Sequence, residues 1–237
     1  MTLGDFVPAP NQGGDPALYE VENLAIDPEG ILWDQLRSAA DWEGKVLLDL
    51  GCGTGFWLPR YAAAATTVGV EPDTALLETA RARAGDATVL HGSAEHLPLA
   101  DSSVDVVHAR FAYFFPSESF SPDAGFQEVA RVLRPGGRLV VIDNDHVHGE
   151  FATLLRASAP AAAQGRDSYP STWWEQRGAH TVPVMSGWKF KDRGDLEQVI
   201  HLEFPAEVAA DWLARHPGRT ELSYGYLLHI WTKPEGS

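Results

Sequence analysis

The chain has 237 residues, a length that one domain with a full hydrophobic core accommodates. Its formal net charge is -15, which disfavours nucleic acid and anionic membranes as partners because both attract clustered basic side chains. The single cysteine, Cys52, excludes an internal disulfide and a multi-cysteine metal site. Met1 to Gly14 carries no secretory signal pattern and no apolar run approaches the length of a membrane span, so a cytoplasmic protein is expected.

The segment before the first strand is predicted to form an arm and two short helices. Residues 1–17 are rich in Pro, Gly, Asp and Asn, which favours a loose arm. Apolar residues recur at helical spacing from Leu18 to Ala40, with an interruption at residues 27–30, whose sequence is Asp-Pro-Glu-Gly. Residues 1–40 are therefore expected to supply an arm and helices that act as a lid.

Strands and helices alternate through the middle of the chain. The predicted strands are Val46–Leu50, Thr67–Glu71, Ala87–His91, Val104–Ala109 and Arg138–Asp143. The predicted helices are Phe56–Ala65, Asp73–Ala84 and Asp123–Leu133. Arg134-Pro135-Gly136-Gly137 predicts a helix stop and a turn into the fifth strand. This alternation, with short glycine turns, predicts an α/β fold with a doubly wound parallel sheet.

The pattern loosens after Asp143. Glu150–Ala157 is predicted to be helical, and residues 158–181, which include Trp173 and Trp174, are predicted to form a loop or lid. The remaining predicted elements are a strand at Val182–Phe190, helices at Asp195–Phe204 and Ala206–Ala214, and a strand at Glu221–Lys233. We expect the last two strands to pair antiparallel at one edge of the sheet.

The most informative motif is the glycine turn Asp49-Leu50-Gly51-Cys52-Gly53-Thr54-Gly55. Three alternate glycines let a ligand approach the backbone closely, and the N-terminus of the following predicted helix favours a carboxylate. A dinucleotide fingerprint requires its third glycine at position 56, which is Phe56. The spacing therefore points away from NAD. A tight strand–helix turn with no ligand is the alternative.

Two further segments follow the second and third predicted strands. Glu71 comes twenty positions after Gly51, where doubly wound nucleotide sites place an acid that accepts the ribose hydroxyls. A helix-dipole role for Glu71 is the alternative. The segment Gly92–Pro98 is a short polar loop whose backbone and serine hydroxyl could contact the edge of an adenine. The alternative is an ordinary connecting loop.

Together these segments resemble the class I S-adenosylmethionine (SAM)-dependent methyltransferases, in particular their small-molecule, type 11-like branch. The motifs occur in family order at Asp49–Gly55, Glu71–Asp73, Gly92–Pro98, Ser103–Val107 and Glu128–Gly137. The resemblance is close over residues 45–143 and loose elsewhere. It implies a Rossmann-like, mainly parallel seven-stranded sheet with an antiparallel C-terminal strand pair. It also implies a single methyltransferase domain over residues 1–237, with residues 45–143 as cofactor core and 144–237 on the substrate side.

The resemblance further implies a set of cofactor residues for SAM, with S-adenosylhomocysteine as the product. Those near the methionine part are Asp49, Gly51, Cys52, Gly53, Gly55, Ala109 and Arg110. Those near the ribose and adenine are Glu71, Pro72, Ser93, Ala94 and Glu95.

Candidate substrate residues are Tyr19, Arg110, Tyr113, Trp173 and Trp174. Arg110 suits a substrate carboxylate or phosphate, with an internal ion pair as the alternative. Tyr19 and the two tryptophans are expected to close the pocket over a flat or apolar acceptor, with simple core packing as the alternative.

Histidines after the fifth strand are the candidate bases. His146 is the first candidate and His148 the second, and a base is needed only for an acceptor that is protonated at working pH. Solvated loop histidines are the alternative. Nearby acids also suggest a metal, but their spacing does not support one, so no metal ligand is predicted.

The residues after the fourth strand narrow the reaction. Methyltransferases that act on nucleobase or amide nitrogens carry a motif resembling Asn/Asp-Pro-Pro-Tyr/Phe after the fourth strand. This chain has His108-Ala109-Arg110-Phe111 at that position. The expected function is therefore in-line methyl transfer to an oxygen, nitrogen or carbon atom of a small molecule. A SAM-binding protein or enzyme without methyl transfer is the main rival, and a nicotinamide oxidoreductase lacks both the third glycine and a Tyr-x-x-x-Lys dyad. The sequence indicates neither the acceptor nor the oligomeric state.

Overall fold

The fold is a seven-stranded sheet with helices on both faces. A computed structural model describes residues 15–116, 121–158 and 169–236. The strands are β1 (Val46–Leu50), β2 (Thr66–Glu71), β3 (Thr88–His91), β4 (Val104–Arg110), β5 (Leu133–Gly149), β6 (His180–Lys189) and β7 (Glu221–Thr232). They lie in the order β3-β2-β1-β4-β5-β7-β6. β1 to β5 are parallel, and β7 is antiparallel to both β5 and β6, which confirms the predicted sheet and its C-terminal strand pair.

The helices cover the sheet in two layers. They are α1 (Pro16–Ala25), α2 (Ile31–Ala39), α3 (Thr74–Arg83), α4 (Asp123–Val132), α5 (Glu150–Ser158), α6 (Tyr169–Gln176), α7 (Arg193–Glu203) and α8 (Ala206–Arg215). Leu47 and Val106 belong to the core beneath α2, α5, α7 and α8, whereas the next residues, Leu48 and Val107, belong to the core beneath α4 and α6. This alternation is the signature of strands buried on both faces.

The predicted helix at Phe56–Ala65 is wrong. The segment forms turns and one short 3-10 helix, Leu58–Tyr61, whose bonds span three residues, as in the 2.9 Å bond from the Arg60 N–H to the Trp57 carbonyl. Pro59 has no N–H, and the chain must reach β2 within ten residues, so an α-helix does not develop. The glycine turn is consequently not followed by an α-helix dipole, and that part of the expected carboxylate site is withdrawn.

Two other segments also differ from expectation. Part of the predicted loop 158–181 is the helix α6, and residues 159–168 lie outside the described ranges. The predicted turn at Arg134–Gly137 falls within β5, where pairing with β4 shifts between Val104 and Val106 and Gly136 adopts a φ of 76°. The predicted arm, residues 1–17, lies almost entirely outside the described residues. Within those described, no helix has the length and apolarity needed to cross a membrane.

Replacing Gly55 of the turn is expected to be costly. It has a φ of 76°, and an added Cβ would lie 3.0 Å from both the Cα and the carbonyl oxygen of Ala80 in α3. Backbone atoms of a packed helix yield little, so Gly55→Ala should lower the free energy of unfolding by about 2–4 kcal/mol through strain and overpacking. Gly85→Ala is the control, because Gly85 has a φ of 59° but nothing within 4 Å of an added Cβ. Urea unfolding that gave equal losses for the two variants would contradict this account.

Candidate active site

The glycine turn lies where β1 ends, between β2 and β4. The N–H groups of Gly51 and Cys52 both donate to the Val70 carbonyl, at 2.8 and 3.1 Å, which fixes the turn against the end of β2. Gly51 has a φ of 74°, and an added Cβ would lie 2.8 Å from the Ala112 Cβ. The turn therefore needs glycine at position 51 for both conformation and space.

Glu71, at the end of β2, binds the turn directly. Its Oε2 accepts the Gly53 N–H at 2.8 Å, and its Oε1 accepts the Asp73 N–H at 2.8 Å. Burial raises the pKa of Glu71 to about 7, although the two backbone hydrogen bonds oppose the shift. Glu71 therefore lies beside the glycine turn and also contacts the start of α3.

Asp49 is the second buried carboxyl of the site. Burial raises its pKa to about 7, Arg110 opposes this, and Glu71 adds to it. Across the β1–β4 pair lies His108, whose Nδ1 is 3.9 Å from the Asp49 carboxylate. Burial, followed by Arg110, lowers the pKa of His108 to about 3, so this imidazole is neutral and is hydrogen-bonded to the Tyr61 hydroxyl.

The loop after β3 places small buried side chains beside the β2 end. Ser93 and Ala94 are fully buried, and the Ser93 carbonyl accepts the His96 N–H at 3.2 Å. Pro72, which follows Glu71, is buried and its carbonyl lies 3.1 Å from the His91 ring. This loop adjoins Glu71, as the sequence predicts.

The segment after β4 covers the glycine turn. Phe111 and Tyr113 both have positive φ angles, 50° and 65°, which are uncommon for bulky residues. The resulting bend brings the Tyr113 ring to 3.1 Å from the position of a Cβ on Gly51. Tyr113 thus lies against the turn, whereas Ala109 is buried within β4 between Leu50 and Val141.

Helix α1 is tied to the glycine turn by contacts that sequence reasoning missed. The Thr54 hydroxyl donates to Glu20 at 2.7 Å, and Arg83 of α3 lies 2.7 Å from the other Glu20 oxygen. One turn further along α1, the Asn23 side-chain oxygen accepts a 2.9 Å hydrogen bond from Arg110. Arg110 also lies 4.5 Å above the Trp57 ring. The only sequence signal was the expectation of lid helices in residues 1–40.

Comparison with known proteins identifies the family. A family model described as a methyltransferase domain matches residues 48–141. An uncharacterised methyltransferase of Mycobacterium tuberculosis (strain H37Rv) is 38% identical over 133 residues, which are 56% of this chain and 51% of that protein. A demethylmenaquinone methyltransferase of Mycobacterium sp. (strain JLS) is 33% identical over 161 residues, which are 61% of this chain and 68% of that protein. The chain belongs to the class I methyltransferases.

The chain spans about half the length of the first curated relatives that it matches. Its fold is shared with the crystal structure of a SAM-dependent methyltransferase from Aquifex aeolicus, at a TM-score of 0.51 and 16% identity, over 89% of this chain and 97% of that one. At that identity the likeness concerns the fold alone.

The two candidate tryptophans lie in the core. Trp173 and Trp174 belong to α6, are buried, and pack against Phe126, with ring centroids 5.6 and 6.4 Å away. Trp174 also contacts Phe114, at 5.8 Å, in the segment that covers the glycine turn. This placement favours the packing alternative over direct closure of a pocket. Tyr19 is half-buried in α1, where its carbonyl accepts the Asn23 amide at 3.0 Å.

The candidate base histidines are exposed. His146 and His148 lie in an irregular stretch of β5, between Asn144 and Gly149, where pairing with β7 shifts. The His148 ring is held by Asp145 at 2.8 Å. Burial alone would raise the pKa of Asp145, but the Val147 N–H and the His148 ring outweigh it and keep that pKa low. Within the described ranges, no group of three or more His, Cys, Asp or Glu side chains is arranged to hold a metal ion.

Proposed function

We propose that this protein transfers a methyl group from SAM to a small-molecule acceptor. The observation that carries the proposal is the buried Glu71 carboxylate bonded at 2.8 Å to the Gly53 N–H of the turn. It is joined by Asp49 on the neighbouring strand and by a glycine at position 51 that tolerates no Cβ. An adenosyl amino acid donates from its ribose hydroxyls and its ammonium, so it requires acceptors of this kind beside a backbone that it can approach closely.

Each of these groups has a distinct task in the proposal. Glu71 accepts the ribose hydroxyls, Asp49 faces the amino acid ammonium, and the buried Ser93-Ala94 loop lies at the adenine. Tyr113 and Arg110 lie on the acceptor side of the turn. SAM supplies the methyl on a sulfonium, so the protein's main tasks are to align the acceptor and to exclude water.

A small-molecule acceptor is supported by charge and by relatives. The net charge of -15 is unsuited to a nucleic acid backbone. A relative whose name states demethylmenaquinone as its substrate is 33% identical to this chain. We further propose that residues 1–237 act as one domain, because α1 contacts both the cofactor turn through Thr54 and the β4 end through Arg110.

Calorimetric titration of the purified protein tests the cofactor assignment. S-adenosylhomocysteine and SAM are expected to bind, and NAD is not, because Phe56 occupies the position of the third dinucleotide glycine. Formation of S-adenosylhomocysteine during incubation with SAM and candidate acceptors then tests methyl transfer. Binding of neither adenosyl compound by the folded protein would refute the proposal. Binding without turnover on any acceptor would favour the rival, a SAM-binding protein without methyl transfer.

A further inference from the structure

A second set of buried polar groups faces Arg110 from helix α1. Glu22 is only 8% exposed, and its Oε2 atom has no hydrogen-bond partner among the described residues. The Arg110 Nη1 atom is also buried and lacks a partner within the same ranges, while its Nη2 donates to Asn23. A buried polar atom without a partner costs about 1–3 kcal/mol, so two complementary ones that fail to bond each other call for a bridging group.

Glu22 lies near a second acid and a cation. Burial raises the pKa of Glu22 well above its ordinary range, the charge of the half-buried Glu203 and a side-chain hydrogen bond with it raise that pKa further, and Arg110 opposes these effects. An anionic ligand would meet this pair of acids, so a neutral ligand suits the surroundings of Arg110 better.

Aromatic rings lie beside these groups. Phe111, next to Arg110, packs against Tyr224 and Tyr226 of β7 with ring centroids 6.3 and 6.1 Å away. Those two tyrosine rings are themselves stacked at 4.2 Å. On the other side, the Arg110 guanidinium lies over Trp57. This aromatic surrounding favours a ligand with a flat ring.

We propose that Glu22 and Arg110 form the acceptor-recognition site, and that the acceptor is a neutral aromatic carrying a hydroxyl next to a second oxygen. The hydroxyl donates to Glu22 Oε2, and the second oxygen accepts from Arg110 Nη1. The inference rests on the proposed function, because it takes Arg110 to lie on the acceptor side of the cofactor turn. In this inference Glu22 selects the acceptor, and the exposed histidines His146 and His148 do not.

Binding of matched probes to the protein saturated with S-adenosylhomocysteine tests the site. The probe is 2-methoxyphenol, its partner without a donor is 1,2-dimethoxybenzene, and benzoate is the anionic comparison. Calorimetry is expected to show 2-methoxyphenol binding at least about tenfold more tightly than either other compound, since it alone offers a donor to the buried Glu22 Oε2 atom. Absence of binding, or tighter binding of benzoate, would overturn the assignment.

Two variants separate the roles of the two residues. Glu22→Gln is expected to weaken 2-methoxyphenol about tenfold and to leave 1,2-dimethoxybenzene unchanged, so that the preference disappears. Arg110→Lys should weaken both probes and keep the preference, because both carry the second oxygen and lysine lacks the planar fork. Glu29→Gln, at an exposed position between α1 and α2, is the matched control with no expected effect.

The outcomes distinguish this inference from the proposed function. Failure of S-adenosylhomocysteine to bind the wild type would refute the proposed function itself. If the cofactor binds normally, Glu22→Gln has two outcomes that would refute only this inference: an equal loss of affinity for both probes, or no loss for either. Either outcome would show that Glu22 and Arg110 are a structural pair bridged by water. Thermal unfolding of each variant identifies any that fails to fold, in which case the other variant and the wild-type probe series decide.

Discussion

Replacing Glu71 with alanine is expected to lower the affinity for S-adenosylhomocysteine by about 100-fold or more. Two ribose hydroxyls donating to one carboxylate are charge-assisted hydrogen bonds, each worth about 1.5–3 kcal/mol. The substitution also leaves the Gly53 N–H, now bonded at 2.8 Å, without its partner. Both effects act on the cofactor turn, so calorimetric titration should show a large loss of affinity.

Two further variants keep this prediction specific. Glu71→Gln retains a side-chain oxygen for one donor, so its affinity should fall between those of the wild type and Glu71→Ala. Glu78→Ala replaces an exposed acid of α3 and should bind like the wild type. Urea unfolding shows whether Glu71→Ala remains folded at the titration temperature. Unchanged affinity in a folded Glu71→Ala would remove the ribose role from Glu71.

The cofactor half of the fold was predictable because its signals are local. The predicted strand Val46–Leu50 matches β1 at both ends, since a short apolar run stops at a glycine turn. The predicted helix Asp73–Ala84 lies within one residue of α3 at each end, and the Asp73 carboxylate accepts the Ala75 N–H at 2.9 Å at its start. Hydrophobic periodicity, helix caps and turn glycines each specify structure within a few residues of themselves. Such local elements can therefore be predicted from the sequence.

The segment around Pro59 did not form the helix that its apolar pattern predicted. The apolar residues from Phe56 to Ala65 suggested a helix, but a proline at its fourth position and the short distance to β2 favour a 3-10 turn. Trp57 and Tyr61 then pack with Trp33 of α2, at 5.2 and 5.6 Å. Tertiary packing of large rings decided the conformation, and a helical pattern does not reveal such partners.

The surroundings of the proposed acceptor site were not predictable because the contacts there join residues that are distant in sequence. Asn23 and Arg110 bond across 87 positions, and Glu20 and Thr54 across 34. No local pattern marks Glu22 as buried, because an acid in an amphipathic helix usually faces solvent. Only the packing of α1 on the β4 end and α7 removes Glu22 from water.

The affinity for S-adenosylhomocysteine is expected to rise with pH between 6 and 7.5. Burial raises the pKa of both Asp49 and Glu71 to about 7, so below that pH the free protein holds these carboxyls protonated. An ammonium beside Asp49 favours the ionised form, so binding must release a proton. Linkage then predicts a gain of about tenfold per pH unit for each carboxyl that has to ionise. Calorimetry in two buffers of different ionisation enthalpy measures the released protons directly.

The same pKa shifts predict the opposite trend for the stability of the free protein. A carboxyl whose pKa is higher in the folded than in the unfolded protein binds more protons in the folded state. Its contribution to the free energy of unfolding is complete below the unfolded pKa and is lost as the pH rises to the folded pKa. For Asp49 that window extends from 3.8 to about 7. Asp49→Asn should therefore flatten both profiles, stabilising the free protein at pH 7.5 while weakening the ligand. A variant that kept the full pH dependence of binding would show that the proton is released elsewhere, and Glu71→Gln would then identify whether Glu71 is its source.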